Sequence, residues 1–385
     1  MENRIKPEYR ELVKILSCFL HDEKYALPLS DDCDPAVLKK LADQHSISGI
    51  VGYELHQGMD EWAEAFYATC SETVQRMSAF KILEKNLNKA EIPHLMVKGF
   101  ALREFYPFPQ LRTFGDLDVV IHSEDRMRCD ELLRELGYIC EEDWEPSYSY
   151  SKGNEFYEFQ TELLDKDPID NADFRDLLSD PWKHAIKMED YRYELDPEFC
   201  FLYVFIHLAK HISVQGAGLR MYLDLAVLLQ KNLAEWKKVQ EYVAEIKMGK
   251  FFETTLSAVE TWFGVSVPFE YHRINEQLLE ELLVFTMKGG TFGRYGEDHG
   301  TMMLRESGGG KAGLILKEAF PSADTISDRY IYLKNRPWLL PFAWVHRLIL
   351  NRGRIKREGI LLKQIASSDS KLVEQMKEFY KSIGL

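Results

Sequence analysis

Apolar residues recur at helical spacing in the first ninety positions of the chain. The residues expected to face the core of the first helix are Leu12, Ile15, Leu16 and Phe19. Asp34, followed by a proline, has the form of a helix N-cap before residues 36–44. A long amphipathic run covers residues 60–90, and Pro93 ends it. We therefore predict an N-terminal helical region over residues 1–90.

Short apolar runs punctuated by glycine and proline replace this pattern from His94 onward. The runs HLMV and LDVVI are typical of buried strands. Residues 148–151 and 155–161 carry alternating side chains on either side of Gly153, which predicts a β-hairpin. We predict a small mixed α/β core over residues 91–195.

Strongly apolar helical patterns return after Asp196 and continue to the end of the chain. They cover residues 198–213, 219–230, 234–246, 251–263, 275–287, 313–319, 338–351 and 370–382. The predicted class is α+β. A small mixed-sheet core lies between N-terminal helices and a large C-terminal helical region over residues 196–385.

Composition narrows the classes of protein that fit this layout. Of the 385 residues, 48 are Lys or Arg and 62 are Asp or Glu, which gives a formal net charge of −14. This charge argues against a broad nucleic-acid-binding surface, whereas contact with a tRNA through a local basic groove stays open. The six cysteines include no pair at CxxC spacing, so we expect reduced thiols and a cytoplasmic protein.

Neither a signal peptide nor a transmembrane helix is predicted. The first twenty residues lack a long apolar segment, and the densest apolar run, residues 338–350, is interrupted by His346 and Arg347. We therefore expect no membrane partner.

Two acidic residues at the start of the second predicted strand are the most informative chemical feature. Asp116 and Asp118 are two positions apart, so on a strand both carboxylates would point to the same face. Like charges at that separation repel unless a cation lies between them, and a hard divalent ion such as Mg²⁺ fits such a pair. The alternative is a pair of solvated turn acids. Gly99, between a strand and a helix, would allow a phosphate to approach the backbone.

A polar stripe crosses the apolar helix predicted at residues 198–213. His207, Lys210 and His211 share one helical face and must meet polar surroundings. A zinc site would need a third ligand at suitable spacing, which the sequence does not provide. A cleft that holds phosphates is the alternative that fits Lys210.

The segment KGFALREFYPFPQLRTFGDLDVVI resembles an uncharacterised bacterial nucleotidyltransferase family of the polymerase-beta-like nucleotidyltransferase superfamily. The shared pattern is a Lys-Gly pair, a Tyr-Pro pair, an arginine and Asp-x-Asp. The later segment HLAKHISVQGAGLRMYLDLAVLL is similar to the helical stretch of that family. The resemblance extends over about residues 30–350, and its most specific motifs lie between residues 94 and 230.

The resemblance implies transfer of a nucleotide from an NTP, such as ATP, to a hydroxyl group, with release of pyrophosphate. Asp116 and Asp118 would hold Mg²⁺, with Mn²⁺ as an alternative, and Glu158 would complete the metal site and accept the proton. The residues implied as contacts to the nucleotide are Lys98, Gly99, Arg112, His207, Lys210 and His211. In the alternative interpretation, Arg112 holds the side chains of the acidic pair in place.

Two departures from the family pattern leave an alternative open. Phe100 replaces a common serine after Lys-Gly, and Gln160 stands where a histidine is expected after Glu158. A catalytically inactive module that binds a nucleotide or a partner is therefore the alternative to an enzyme, and release of ADP instead of pyrophosphate would indicate a kinase. The sequence does not decide whether the acceptor is a small molecule, a glycan precursor, a protein or a tRNA.

The oligomeric state is also left open by the sequence. So is the role of one basic cluster, which contrasts with the acidic charge of the chain. Its members are Arg347, Arg352, Arg354, Lys356 and Arg357.

Overall fold

The computed structural model describes most of the chain as two compact units. One unit is Met1–Tyr295 with Ile383–Leu385, and the other is Gly296–Ser382. The described residues are 5–144, 146–163, 174–214, 216–290, 311–326, 331–333, 336–350, 363, 365–367 and 370–385. The boundaries at residues 90 and 195 stay a prediction.

A seven-stranded mixed sheet forms the centre of the first unit. Its strands are β1 (His94–Met96), β2 (Leu117–Ile121), β3 (Ile139–Trp144), β4 (Ser147–Lys152), β5 (Glu155–Gln160), β6 (Ala185–Glu189) and β7 (Arg192–Leu195). The order across the sheet is β3-β4-β5-β2-β1-β7-β6. β1 pairs with β7 and β2 pairs with β5 in parallel, and the other neighbours are antiparallel.

The first unit also contains twelve described α-helices. They are α1 (Pro7–Leu20), α2 (Pro35–Gln44), α3 (Ser48–Leu55), α4 (Ala63–Lys89), α5 (Gly99–Leu102), α6 (Arg126–Glu135), α7 (Arg175–Leu178), α8 (Pro197–Val214), α9 (Leu219–Lys231), α10 (Trp236–Glu245), α11 (Gly249–Phe263) and α12 (Glu276–Gly289). The helical patterns predicted before residue 90 and after residue 196 are confirmed for these segments. The α+β class is confirmed as well.

The central strands are buried because helices cover the sheet. Every residue of β2 is buried, which explains why its sequence is almost uninterruptedly apolar. Phe80 and Leu87 of α4 and Leu133 of α6 pack into the same apolar cluster as Val119 of β2 and Phe159 of β5. This cluster fixes the position of the strands that carry the acidic residues.

The second unit contains four described helices and two small apolar clusters. The helices are α13 (Lys311–Ala319), α14 (Ala323–Ile326), α15 (Leu340–Leu350) and α16 (Ser370–Ile383). Leu314, Ile365 and Val373 form one cluster, and Leu333 and Ala343 form the other. In the described parts of both units, no helix combines the length and the apolar character needed to cross a bilayer. The side chains of the basic cluster at residues 347–357 lie outside the described residues.

A buried histidine ties the N-terminal helices to the C-terminal ones. The Leu219 backbone N–H donates to His45 Nδ1 at 3.0 Å, so Nε2 carries the proton that faces the Met287 carbonyl oxygen at 3.3 Å. His45 is fully buried. Burial lowers its pKa to about 4, so the imidazole is neutral at physiological pH.

We expect this histidine to make the fold sensitive to acid. A lowered folded-state pKa means that the unfolded chain binds more protons, so the contribution of His45 is fully present above about pH 6.5 and falls as the pH drops towards about 4. Between pH 7.5 and pH 5, His45 alone should cost about 2 kcal/mol of unfolding free energy. Urea unfolding at both pH values measures this loss. His45→Gln, which keeps a donor and an acceptor, should reduce the slope; an equal slope in both proteins would refute the assignment.

Candidate active site

Three carboxylates from two neighbouring strands converge at one edge of the sheet. β2 and β5 run parallel, and their register places Asp118 directly opposite Glu158. Asp116 lies just before β2. One oxygen from each of the three carboxylates lies within 4.8 Å of the other two. Asp116 is exposed, Glu158 is half-buried and Asp118 is buried, so the group opens to solvent on the Asp116 side.

The electrostatics of this group favour a bound cation. Burial raises the pKa of Asp118 to about 6, and the carboxylates of Asp116 and Glu158 contribute to the rise, whereas Lys98 opposes the shift. The ionised form of the Asp118 carboxyl group is therefore destabilised by its surroundings in the fold. A cation at the centre of the group would relieve that destabilisation.

Lys98 supplies one positive charge to the carboxylates. Its Nζ donates to Asp118 Oδ1 at 2.9 Å and lies 5.6 Å from the centroid of the Tyr203 ring. Burial alone would lower the pKa of Lys98, but the charge of Asp118 raises it above its usual range. The backbone of Lys98 has φ 52°, a conformation that L-residues seldom adopt, at the junction between β1 and α5.

Gln160 holds two of the carboxylates in place. Its Nε2 donates to Asp118 Oδ1 at 3.0 Å and to Glu158 Oε1 at 2.9 Å. The Ser147 hydroxyl donates to Glu158 Oε1 at 2.6 Å. The residue that departs from the family pattern therefore bridges the acids through an amide, which does not change charge between pH 5 and 8 as a histidine would.

Removing this bridge should weaken metal binding without unfolding the protein. In Gln160→Ala the two carboxylates lose their shared donor, and we expect roughly tenfold weaker Mn²⁺ binding, as is typical when a residue that orients metal ligands is lost. Titration followed by electron paramagnetic resonance measures the affinity, and urea unfolding serves as the control. An unchanged Mn²⁺ affinity would show that Gln160 does not position the ligands.

Arg112 pairs with Asp224 and so joins the loop before β2 to α9. Its Nε and Nη2 donate to the two carboxylate oxygens of Asp224 at 3.1 and 2.7 Å. The Tyr106 hydroxyl donates to the same carboxylate at 2.6 Å. All three side chains are buried. Asp224 of α9 is thus the partner of Arg112.

Gly99 is required by the packing of this arginine. A Cβ atom at position 99 would lie 2.6 Å from Arg112 Nη1 and 3.1 Å from Phe114 Cβ. Gly99 opens α5, which has only four residues. The close approach of the Arg112 side chain therefore accounts for the glycine, and its proposed contact with a phosphate stays a prediction.

Positively charged side chains gather on α8 and α9 near Lys98. Burial and the charges of Lys98, His211 and Lys210 depress the pKa of His207, and burial with Lys98 and Lys210 lowers the pKa of His211 to about 4. The centroids of the two imidazole rings are 4.5 Å apart. These groups surround a position where an anion would be stabilised.

Arg220 of α9 adds a further cation at this position. Burial and the neighbouring Arg112 lower its pKa to about 10. Its Nη1 donates to the Thr113 carbonyl oxygen at 2.8 Å, while its buried Nε has no hydrogen-bond partner.

The structure thus brings together the three predicted carboxylates and Lys98. His207 and His211 lie close enough to Lys98 for its charge to lower their pKa values. Arg112 pairs with Asp224. Sequence reasoning missed the bracing role of Tyr106, although its Tyr-Pro pair belongs to the motif. Ser147 carried no sequence signal, because a serine beside a turn is common.

Comparisons with known proteins give one family match and two distant structural likenesses. A family model described as "Uncharacterised nucleotidyltransferase" matches residues 31–264, a span that contains every predicted site residue. The solved structure of the antibiotic-resistance factor ANT(2'')-Ia is 16% identical and covers 46% of this chain and 92% of its own, with a TM-score of 0.34. The Megavirus polyadenylate synthase is 12% identical and covers 56% and 50%, with a TM-score of 0.30.

The two structural likenesses are too distant to carry a functional argument. A search of curated proteins finds no significant match. The family model, in contrast, spans more than half of the chain. This protein therefore belongs to that family of nucleotidyltransferases.

Proposed function

We propose that this protein is a Mg²⁺-dependent nucleotidyltransferase that moves an NMP from an NTP to a hydroxyl-bearing acceptor and releases pyrophosphate. The observation that carries the proposal is the convergence of Asp116, Asp118 and Glu158 within 4.8 Å, next to Lys98. Family membership accounts for nucleotidyl transfer, and this arrangement supports the dependence on a divalent ion.

The donor set fits a hard divalent cation. Carboxylate oxygens are the ligands that Mg²⁺ prefers, and the exposed side of the group leaves room for water and phosphate. Asp116, Asp118 and Glu158 would hold the ion, with Mn²⁺ as an alternative. Bound there, the ion would neutralise phosphate charge and lower the pKa of the acceptor hydroxyl.

The other side chains of the site have separate tasks in this reaction. Lys98 and Lys210, with the neutral imidazoles of His207 and His211, would bind and orient the triphosphate. Glu158 would accept the proton of the acceptor hydroxyl. The hydroxyl oxygen forms a bond to the α-phosphorus, the bond to the bridging oxygen breaks, and pyrophosphate leaves with that electron pair.

The departures from the family pattern are compatible with activity. Phe100 is buried and packs on Phe80, with ring centroids 4.7 Å apart, so it contributes to the core. Gln160 supports the carboxylates directly. These contacts favour an enzyme over an inactive binding module.

The test is nucleotide binding and pyrophosphate release with each of the four NTPs. We expect calorimetry to show NTP binding that requires Mg²⁺, and labelled NTP in cell lysate to transfer its label to an acceptor with release of pyrophosphate. The matched control is Asp116→Ala/Asp118→Ala. Binding that is independent of Mg²⁺, or equal in the double variant, would refute the proposal, and release of ADP would indicate a kinase.

A further inference from the structure

A cavity within the first unit lies beside Lys98. It is partly open to solvent and lies between β1, the end of β7 and the N-terminal half of α8. Lys98 lines this cavity and also contacts Asp118. The cavity and the carboxylate group therefore share one residue.

The lining of the cavity is mainly apolar. The side chains of Met96, Ala101, Phe105, Phe201 and Trp236 contribute to it. Such a surface binds uncharged groups by removing them from water.

Few polar side chains line the same cavity. Lys98 is bonded to Asp118, and Glu194 is already paired with Arg192. Lys231 is exposed at the end of α9. The lining is thus poor in groups that could read the edge of a nucleobase, which carries several hydrogen-bond donors and acceptors.

Helix α8 shows where the cavity lies relative to the cationic side chains. Cys200, which lines the cavity, precedes Tyr203 by one turn, and Lys210 follows two turns later on the same face. At 1.5 Å per residue, Cys200 lies about 5 Å and Lys210 about 10 Å from Tyr203 along the axis, in opposite directions. The Tyr203 ring adjoins the Lys98 ammonium, so along the axis of α8 the cavity and Lys210 lie on opposite sides of Tyr203.

We propose that this cavity binds a neutral, apolar part of the acceptor, such as one ring or a short alkyl chain, and so selects small hydroxyl compounds that carry such a group. The inference rests on the proposed function, since it assumes that the triphosphate occupies the cationic side. With the phosphates beside Lys210, an acceptor whose apolar part occupies the cavity would lie on the other side of Tyr203 along α8, with Lys98 lining its site.

Filling the cavity tests this proposal without knowledge of the acceptor. The probe is benzyl alcohol, an uncharged hydroxyl compound with one ring, and its binding is followed by ligand-observed NMR. Ala234 lines the cavity from the loop between α9 and α10, so Ala234→Trp would fill it, and Ala234→Ser is the matched control. We expect at least about tenfold weaker probe binding in Ala234→Trp than in wild type or Ala234→Ser, because one ring loses its apolar surroundings.

Affinity for Mg²⁺ and NTP, measured in the same three proteins, should not change. Probe binding that survives in Ala234→Trp would overturn the proposal, and so would a loss of NTP affinity in that variant, which would identify the cavity as a nucleobase site. If Ala234→Trp does not fold, Leu233→Trp fills the same cavity from an exposed position. Failure of the proposed function would be seen separately, as absent NTP binding in all proteins.

Discussion

Asp118→Asn should lower kcat/KM for nucleotidyl transfer by on the order of 10³-fold, because several kcal/mol of transition-state stabilisation depend on a metal held by this carboxylate. Asp118 is the buried member of the group and is centrally placed, opposite Glu158 in the sheet. An amide in its position keeps the shape of the side chain but removes the charge. Pyrophosphate release at saturating Mg²⁺ measures the effect.

The matched control for this change is Asp143→Asn on β3. Asp143 is largely exposed and pairs with Arg126, so its replacement should leave kcat/KM unchanged. In Asp118→Asn the Lys98 ammonium loses its ion-pair partner but keeps an amide oxygen as a hydrogen-bond acceptor, so both variants should still unfold cooperatively in urea. Activity of Asp118→Asn within tenfold of wild type would contradict the assignment of Asp118 as a metal ligand.

Arg112→Met should destabilise the fold by about 3–5 kcal/mol, the usual cost of leaving one member of a buried ion pair alone. Arg112 and Asp224 are each only 6% exposed, so the carboxylate that loses its partner has no solvent to replace the guanidinium. Because total stabilities are about 5–15 kcal/mol, this loss is a large share. Urea denaturation at pH 7.5 measures it.

Removing the second charge should recover much of the lost stability. In Arg112→Met/Asp224→Leu neither member of the pair remains as an unpaired charge, and apolar replacements for buried ion pairs are often tolerated. The Tyr106 hydroxyl then loses its acceptor, which costs about 1–3 kcal/mol. A double variant no more stable than Arg112→Met would show that the pair does not account for the loss.

Most of the acidic site was predictable from sequence because Asp116 and Asp118 are only two positions apart. Two acids at positions i and i+2 before an apolar run place two carboxylates together wherever the strand lies. Glu158 could be added only through the resemblance, since the parallel pairing of β2 with β5 joins residues forty positions apart in sequence. The partner of Arg112 was not predictable, because Asp224 is 112 positions away.

The elements that were missed give weak signals in the sequence. β6, AIKME, alternates apolar and polar residues over only four positions, and Ile186 and Met188 are exposed, so no buried face marks it as a strand. α3, SGIVGYEL, is almost wholly buried and contains two glycines, which resemble a loop in sequence. The glycine at position 52 is needed because a Cβ there would lie 2.6 Å from the Trp62 carbonyl oxygen. Tertiary contact, not helix propensity, therefore determines that helix.

The ion pair between Lys98 and Asp118 has a consequence for the order in which ligands bind. Because the ammonium occupies Asp118 Oδ1 at 2.9 Å, a cation that binds this oxygen has to displace it. The displaced lysine then needs a new anion, and a triphosphate oxygen can supply one. Binding of the divalent ion and of the nucleotide is thereby thermodynamically linked: each should raise the affinity for the other by the same factor. The protein should respond weakly to either alone and strongly to the metal–nucleotide complex.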